Sequence, residues 1–428
     1  MNIYSVYEKF LQCTGVSTDT RNIQKDNLFV ALKGENFNGN QFITSAIEKG
    51  AKYAIIDDAK YEIPGKTILC DDSLICLQKL AKTHRRETNA TIIAITGTNG
   101  KTTSKELTFV IMNSHFKCIA TNGNLNNHIG VPLSLLRIKK ETEFAMIEMG
   151  ANHPGEIKLL SEIAEPDYGV ITNVGQAHIE GFGSFEGVKK TKAELYDYLR
   201  KHSGITFINI GNPHLLQMLG NQEIISYAFD QPAYCTAKYF KTNHKIGLDW
   251  QDDAQSGKFL SNLQGAYNAE NMLLATCIGR HFNVPPKKIN AAIKKYTPTN
   301  QRSEIKKSER NTLFLDLYNA NPSSIQLAVK DFHNTEDEQI VILGEMKELG
   351  AISNEAHLKI LHLLEDLKFY RVLLAGEAFY QYKTKFNFEF YPDTDALVQS
   401  LENNKIQDKW IFIKGSRSMQ LERVVPLL

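Results

Sequence analysis

The chain has 428 residues, 42% of them apolar and 23% charged, with a formal net charge of +1. That length exceeds what one hydrophobic core usually organises, so two or three domains are expected. Near-neutrality and the lack of a long uninterrupted apolar run argue against binding nucleic acid by bulk charge and against a membrane span.

In chain order, the opening MNIYSVYEKF has no basic flank leading into an apolar segment, so no secretory signal is expected. Runs of four to six apolar residues then alternate with helix-period segments, the pattern of parallel sheets covered by helices. LFVAL (28–32), YAII (53–56) and TILC (67–70) read as strands, 40–49 and 73–86 as helices, and the polar THRRETNA (83–90) as a linker. A second block begins at TIIAIT (91–96) and adds strands FAMIEM (144–149), YGVIT (168–172) and ITFINI (205–210). Its helices are expected near 102–115, 155–163 and 185–201. Residues 235–264 lack helical period and are expected to form an antiparallel insertion before a strong helix over 265–282. TPTNQRSE (297–304) reads as the next boundary; TLFLDL (312–317), QIVILG (339–344), RVLLAG (371–376) and WIFIKG (410–415) are the strands of a third block. The six cysteines, Cys13, Cys70, Cys76, Cys118, Cys235 and Cys277, have no CxxC or zinc-like spacing and are expected to be reduced packing residues of a cytoplasmic protein.

The stretch AITGTNGKTTSKEL (94–107) carries the chemistry. Its first glycine is Gly97, three residues before Gly100, where the common phosphate loop would need glycine at Ile95. A glycine turn with a solvated Lys101 is the plain alternative. The context of strand, glycine loop and helix favours an anion site, with helix N-terminal amides facing phosphate, Lys101 reaching the outer phosphates and the Thr102 hydroxyl placed for magnesium.

TGTNGKTT closely resembles the nucleotide loop of the Mur ligase superfamily, ATP-dependent enzymes that build the peptide of bacterial peptidoglycan. NLNNHIGVPLSLL (124–136), EMGANHPGEI (148–157), AHIEGFGS (177–184) and TKAELY (191–196) match the rest of its central domain. NAENMLLA (268–275), LDLYNANP (315–322), GEMKELG (344–350) and KGSR (414–417) match its nucleotide-clamping and C-terminal regions, and STDTR (17–21) with LFVALKGENFNG (28–39) its first domain. STDTR, GNLNN, EMGANHPGEI and YNANP together resemble the branch that joins D-alanyl-D-alanine to UDP-N-acetylmuramoyl-tripeptide (UDP-MurNAc-tripeptide). Other branches open with a glycine-rich dinucleotide-like fingerprint or carry DNPR in the third domain, and folate polyglutamate synthases lack the STDTR region.

The resemblance implies three α/β domains. Residues 1–87 would bind the UDP-sugar-peptide, 88–298 would form a central P-loop-type ATPase domain, and 299–428 a Rossmann-like clamp for nucleotide and dipeptide, hinged near 297–303. ATP and Mg²⁺ are the implied cofactors. Gly97, Thr98, Asn99, Gly100, Lys101, Thr102 and Thr103 would wrap the phosphates. Thr102, Glu148, His178 and a carbamylated Lys192 would gather magnesium, with Lys101, Glu148, His178 and Lys192 as the catalytic set. Asn271 would meet the adenine edge, and Arg302 and Asp316 the phosphates and ribose. Ser17, Thr18, Asp19, Arg21 and Gly34 would meet the uridine nucleotide; Asn126 and Asn127 the sugar-peptide; Lys414 and Arg417 the dipeptide or the domain boundary. An Asx-type turn is the plain alternative for 17–21, and a solvated helix lysine for Lys192. The chain departs from the family pattern at Asn300-Gln301-Arg302, where Pro-Gly-Arg is frequent, and at Leu315-Asp316, where Asp-Asp is frequent. Two other readings stay open: a Mur-type ligase adding a single amino acid, and a GKT-loop ATPase or kinase that forms no amide. A non-catalytic protein with a decayed site is disfavoured, since each expected position holds a competent residue. A monomer is expected.

Overall fold

Three largely parallel sheets divide the chain, and the order of their strands decides where a ligand can lie. The computed structural model describes residues 2–242, 245–298, 302–333 and 338–428. The first sheet is four-stranded and parallel, ordered Val16–Ser17, Leu28–Val30, Tyr53–Ile56, Thr67–Leu69. The third is six-stranded, ordered Glu304–Lys307, Thr312–Asp316, Trp410–Lys414, Gln339–Gly344, Arg371–Ala375, Glu389–Tyr391, with only its first strand antiparallel.

The central sheet has nine strands. Thr91–Thr96 lies between Phe144–Glu148 and Tyr168–Ile171, paired parallel to both. Ile92, Ile93, Ala94 and Ile95 are fully buried, as a strand covered by helices on both faces requires. The chain runs from Thr91–Thr96 out to the edge strand Cys118–Ala120, returns to Phe144–Glu148, and then crosses to Tyr168–Ile171 on the opposite side. That reversal opens a crevice beyond the strand C-termini, where open α/β sheets bind ligands.

Residues 235–264 carry the expected antiparallel pairing: Cys235–Thr242 joins the central sheet parallel to Ile224–Phe229, and Lys245–Asp252 and Ser256–Leu260 follow it as antiparallel strands. The structure corrects two other expectations. Residues 83–90 are no free linker, because the helix Ser73–Arg86 takes in their first half and its end is pinned. His84 is buried against the Ile138 carbonyl (2.8 Å), and Arg85 and Arg86 reach Asp167 (2.7 Å) and Glu165 (2.5 Å). Leu77 and Leu80 join one apolar cluster with Leu135 and Leu160, so the first and second blocks share a core. The 40–49 helix is shorter than expected: a 3₁₀ turn over Gly39–Phe42 precedes Ile43–Glu48. Residues 299–301, at the centre of the expected hinge and including Asn300 and Gln301, lie outside the described residues. All six cysteines are free.

Candidate active site

The loop after Thr96 is held by backbone that only glycine tolerates. Gly97 has φ +142°, and a Cβ there would meet Thr172 Oγ1 at 2.0 Å; Gly100 has φ +78°, and a Cβ there would meet Asn271 Oδ1 at 2.4 Å. Thr98 N donates to Asn173 O (2.9 Å), Asn99 N to Asn173 Oδ1 (2.9 Å), and Thr172 Oγ1 to Asn99 O (2.6 Å). The helix Lys101–Asn113 begins at once. Lys101 Nζ folds back onto the carbonyls of Gly97 (2.8 Å) and Thr98 (3.0 Å). It stands at the cavity wall enclosed by protein, and burial lowers its pKa to about 8, with Glu148 opposing and Arg302 adding to the fall.

Thr98, Asn99, Gly100, Lys101 and Thr103 line one side of a cavity of about 700 Å³. Glu148, His178, Asn126, Asn127 and Asn271 continue the wall within the central domain; Arg302, Asp316 and Lys414 complete it from the third. Two sets of strand C-termini thus face one space. Gly97 and Thr102 sit behind this surface, and so does Lys192, which is 3% exposed.

Glu148 ends its strand 1% exposed. Its Oε1 accepts from Thr102 Oγ1 (3.1 Å) and Asn126 Nδ2 (2.9 Å), whereas Oε2 is buried with no hydrogen-bond donor among the described residues. The nearest cation, Lys105 Nζ, is 3.8 Å away and donates instead to Thr121 O (2.8 Å). A buried carboxylate with an unused oxygen beside a threonine hydroxyl fits a hard cation. Among the described residues no three His, Cys, Asp or Glu side chains converge on a metal-sized space. Magnesium there would draw its remaining oxygens from phosphate and water, which is its habit.

Lys192 lies on the helix Phe185–Lys201, with Nζ 5.5 Å from the Phe182 ring centre. Burial, with the positive charge of Lys101 next, lowers its pKa to about 7, and Glu156 and Glu194 oppose the fall. The stability consequence has a definite sign. Between about pH 7 and the ordinary lysine value the unfolded chain binds the more protons, so the unmodified protein should gain stability as pH rises through that window. Lys192→Met should flatten this rise, measured as urea midpoints from pH 6.5 to 9.5; an unchanged profile would refute the burial of a charged amine.

Other expected residues fall into different places. Asn271 is braced from both sides: its Oδ1 accepts from Ser104 Oγ (3.0 Å) and its Nδ2 donates to Asn268 Oδ1 (2.9 Å). It therefore supports Gly100 from below while one face borders the cavity. Asp316 and Lys414 form an ion pair (2.5 Å) between register partners on adjacent strands, and Lys414, 2% exposed, also donates to Asn319 O (2.9 Å). Leu315 is buried in the third domain's core, which gives the apolar residue at that position a packing role. The Arg302 guanidinium lies 3.5 Å over the Tyr318 ring. Ser17, Thr18, Asp19, Arg21, Gly34 and Arg417 do not line the cavity. Asp19 caps the 3₁₀ turn Thr20–Asn22 and pairs with Arg21 (2.7 Å), the Asx-type arrangement its sequence allowed. Gly34 sits in a short hairpin with open space around it, and Arg417 is exposed near Glu422 (3.9 Å).

Several residues escaped the sequence reading. Asn321 Nδ2 donates to Asn99 Oδ1 (2.8 Å) and Asn99 Nδ2 to Ser323 Oγ (3.2 Å), so the third domain grips the loop. His178 Nδ1 lies 2.5 Å from Glu348 Oε2, also across domains. Glu270 borders the cavity with its carboxyl pKa raised by burial, and Asn209 Nδ2 donates to it (2.8 Å). The strings NAENMLLA, YNANP and GEMKELG signalled these places, but nothing local said which member of each string faces the loop.

Comparison with known proteins agrees with this arrangement along the chain. The model described as Mur ligase family, catalytic domain, matches residues 12–86, the Mur ligase middle domain 95–279, and the Mur ligase glutamate ligase domain 301–417. The chain is 31% identical to the UDP-N-acetylmuramoyl-tripeptide–D-alanyl-D-alanine ligase of Bacillus subtilis, across 96% of this chain and 92% of that protein. The crystal structure of MurF from Acinetobacter baumannii matches with a TM-score of 0.86 at 24% identity, over 100% of this chain and 98% of that one. MurF from Thermotoga maritima in complex with ADP matches with a TM-score of 0.85 at 24% identity, over 98% and 97%.

Proposed function

The chain belongs to the Mur ligase family, and from that premise we infer that it joins D-alanyl-D-alanine to UDP-MurNAc-tripeptide with ATP, giving the pentapeptide precursor of peptidoglycan. The observation that carries this reading is the single cavity on which the phosphate loop, Glu148 and His178 converge with Arg302, Asp316 and Lys414 of the third domain. A simple ATPase or kinase has no need of that second set.

The tripeptide's terminal carboxylate attacks the γ-phosphate, giving an acyl phosphate and ADP. The dipeptide amine then attacks the activated carbonyl, and phosphate leaves the tetrahedral intermediate. Both reactants of the first step are anions, so positioning and charge neutralisation dominate. Lys101 exchanges the carbonyls of Gly97 and Thr98 for phosphate oxygens. Thr102 and Glu148 would hold one magnesium, and His178 with a carbamylated Lys192 a second. When bound, the ions neutralise the phosphate charge and the developing charge on the leaving oxygen. Lys192 serves as a carbamate: its ammonium first gives up a proton, and the neutral amine then adds CO₂ and releases a second, so a carbamate anion stands where a cation stood. The pKa of about 7 favours that addition at neutral pH. Arg302 and Asp316 close on the nucleotide, Asn126 and Asn127 on the sugar-peptide, and Lys414 borders the dipeptide. Ser17, Thr18, Asp19, Arg21 and Gly34 serve the uridine end, with domains as 1–87, 88–298 and 299–428. Action as a monomer is part of this reading; among the described residues no helix is long and apolar enough to cross a membrane, and ATP and nucleotide sugars point to the cytoplasm.

The test is direct. Incubation with ATP, magnesium, UDP-MurNAc-tripeptide and a mixture of D-alanyl-D-alanine and single amino acids should yield a product heavier by the dipeptide less water, with one phosphate released per bond. Incorporation of a single amino acid would replace this reading with another Mur-type ligase; phosphate release without amide formation would replace it with an ATPase.

A further inference from the structure

Two backbone segments from different domains meet at His178. His178 caps the short helix Ile179–Phe182 that follows the central strand Tyr168–Ile171, and residues 348–350 follow the third domain's strand Gln339–Gly344. Glu180 N approaches Glu348 O at 3.4 Å, and a Cβ on Gly350 would lie 3.5 Å from that of Glu180. His178 and Glu348 both adopt left-handed backbone, with φ of 52° and 63°. Non-glycine residues take that conformation only where their surroundings compel it. The result is the 2.5 Å approach of Glu348 Oε2 to His178 Nδ1. Glu348 Oε2 is thus the carboxylate oxygen that stands against Nδ1, although no aligned hydrogen bond joins them among the described residues. Phe182 meets the imidazole edge-on, with ring centres 6.4 Å apart.

We propose that Glu348 is a positioning residue for His178, delivered across the domain interface, whose carboxylate holds Nδ1 and leaves the Nε2 lone pair available to a divalent cation. Metal-binding histidines commonly give their other ring nitrogen to a carboxylate, which sets tautomer and ring orientation. Here that carboxylate belongs to the domain that must close. Docking of the third domain, held also by Asn321 and Ser323 on Asn99, therefore completes a ligand of the central domain. The cation in this inference rests on the ligase reading; the His178–Glu348 contact does not.

Full-length protein and Glu348→Gln are compared for Mn²⁺ binding in the presence of ADP by electron paramagnetic resonance, and for imidazole tautomer by NMR on ¹⁵N-histidine-labelled protein. Glu348→Gln should weaken the affected manganese site by about 10- to 100-fold and move the His178 proton away from Nδ1. Ligation kcat should fall while KM for ATP changes little. Wild-type or tighter manganese affinity, or an unchanged tautomer, would overturn the assignment; tighter binding would identify Glu348 as a competitor of the cation. Circular dichroism checks the fold. If Glu348→Gln does not fold, Glu348→Asp replaces it, with a smaller loss of the same sign expected and wild-type affinity overturning the proposal. Neither binding readout requires D-alanyl-D-alanine, so absence of ligated product from the wild type would count against the ligase reading alone.

Discussion

Lys192→Ala should lower the ligation rate by about 10²- to 10³-fold, and formate or acetate should restore part of it. A helix ordinarily sends its lysines to solvent, yet Lys192 is 3% exposed and stands within the electrostatic reach of Lys101. Two buried cations beside a phosphate loop are unfavourable unless one changes sign. A lysine cation about 4 Å from Mg²⁺ would be repelled by roughly 8 kcal/mol at an effective dielectric near 20. Carbamylation reverses that term. The same substitution also removes a buried alkyl stem beside Phe182, so some loss of stability is expected; what distinguishes the two roles is rescue, since a short carboxylate replaces a carbamate and does not refill packing. Bicarbonate should stimulate the wild type, with the effect saturating above about pH 7 because the neutral amine then predominates. Full activity of Lys192→Ala, or activity of the wild type indifferent to CO₂ removal, would eliminate the carbamate.

Glu148→Gln is expected to cost about 10²- to 10³-fold in rate while changing stability by no more than about 1 kcal/mol. The glutamine carbonyl still accepts from Thr102 and Asn126, so the existing hydrogen bonds survive. Its amide nitrogen replaces Oε2, the oxygen that has no donor among the described residues. Losing a buried, half-satisfied carboxylate relieves desolvation, and losing its charge near Lys105 removes an attraction at 3.8 Å; these effects oppose one another. No such cancellation operates on magnesium, which requires the anionic oxygen. Calorimetry of Mg²⁺–ADP binding with urea unfolding of the same variant separates the two. A variant that binds Mg²⁺–ADP normally, or one that unfolds several kcal/mol earlier, would make Glu148 a structural residue.

Much of the molecule was legible because much of it is local. Strand, glycine loop and helix around Gly97–Lys101 are consecutive, and their chemistry follows from backbone freedom, helix polarity and one lysine. Parallel sheets follow from short apolar runs alternating with helical segments. The helix Phe185–Lys201 was expected to its last residue. The misreadings arose where distant groups decide. THRRETNA looked like a linker because its basic residues were read as solvated, whereas Arg85 and Arg86 meet Asp167 and Glu165 some 80 positions away. Asn271 does border the cavity, as expected of a residue at the nucleotide base, but its bracing of Gly100 and Ser104 joins positions some 170 apart and was not legible.

The amino-acid order alone therefore determined the elements, the phosphate loop and the family resemblance, since each depends on residues within a few positions of one another. Only the tertiary structure decided that Asn99 is held by Asn321, that His178 meets Glu348, and that Glu148 keeps one oxygen unused. Those outcomes depend on which strand ends the folded sheets bring together, and no stretch of sequence contains both partners.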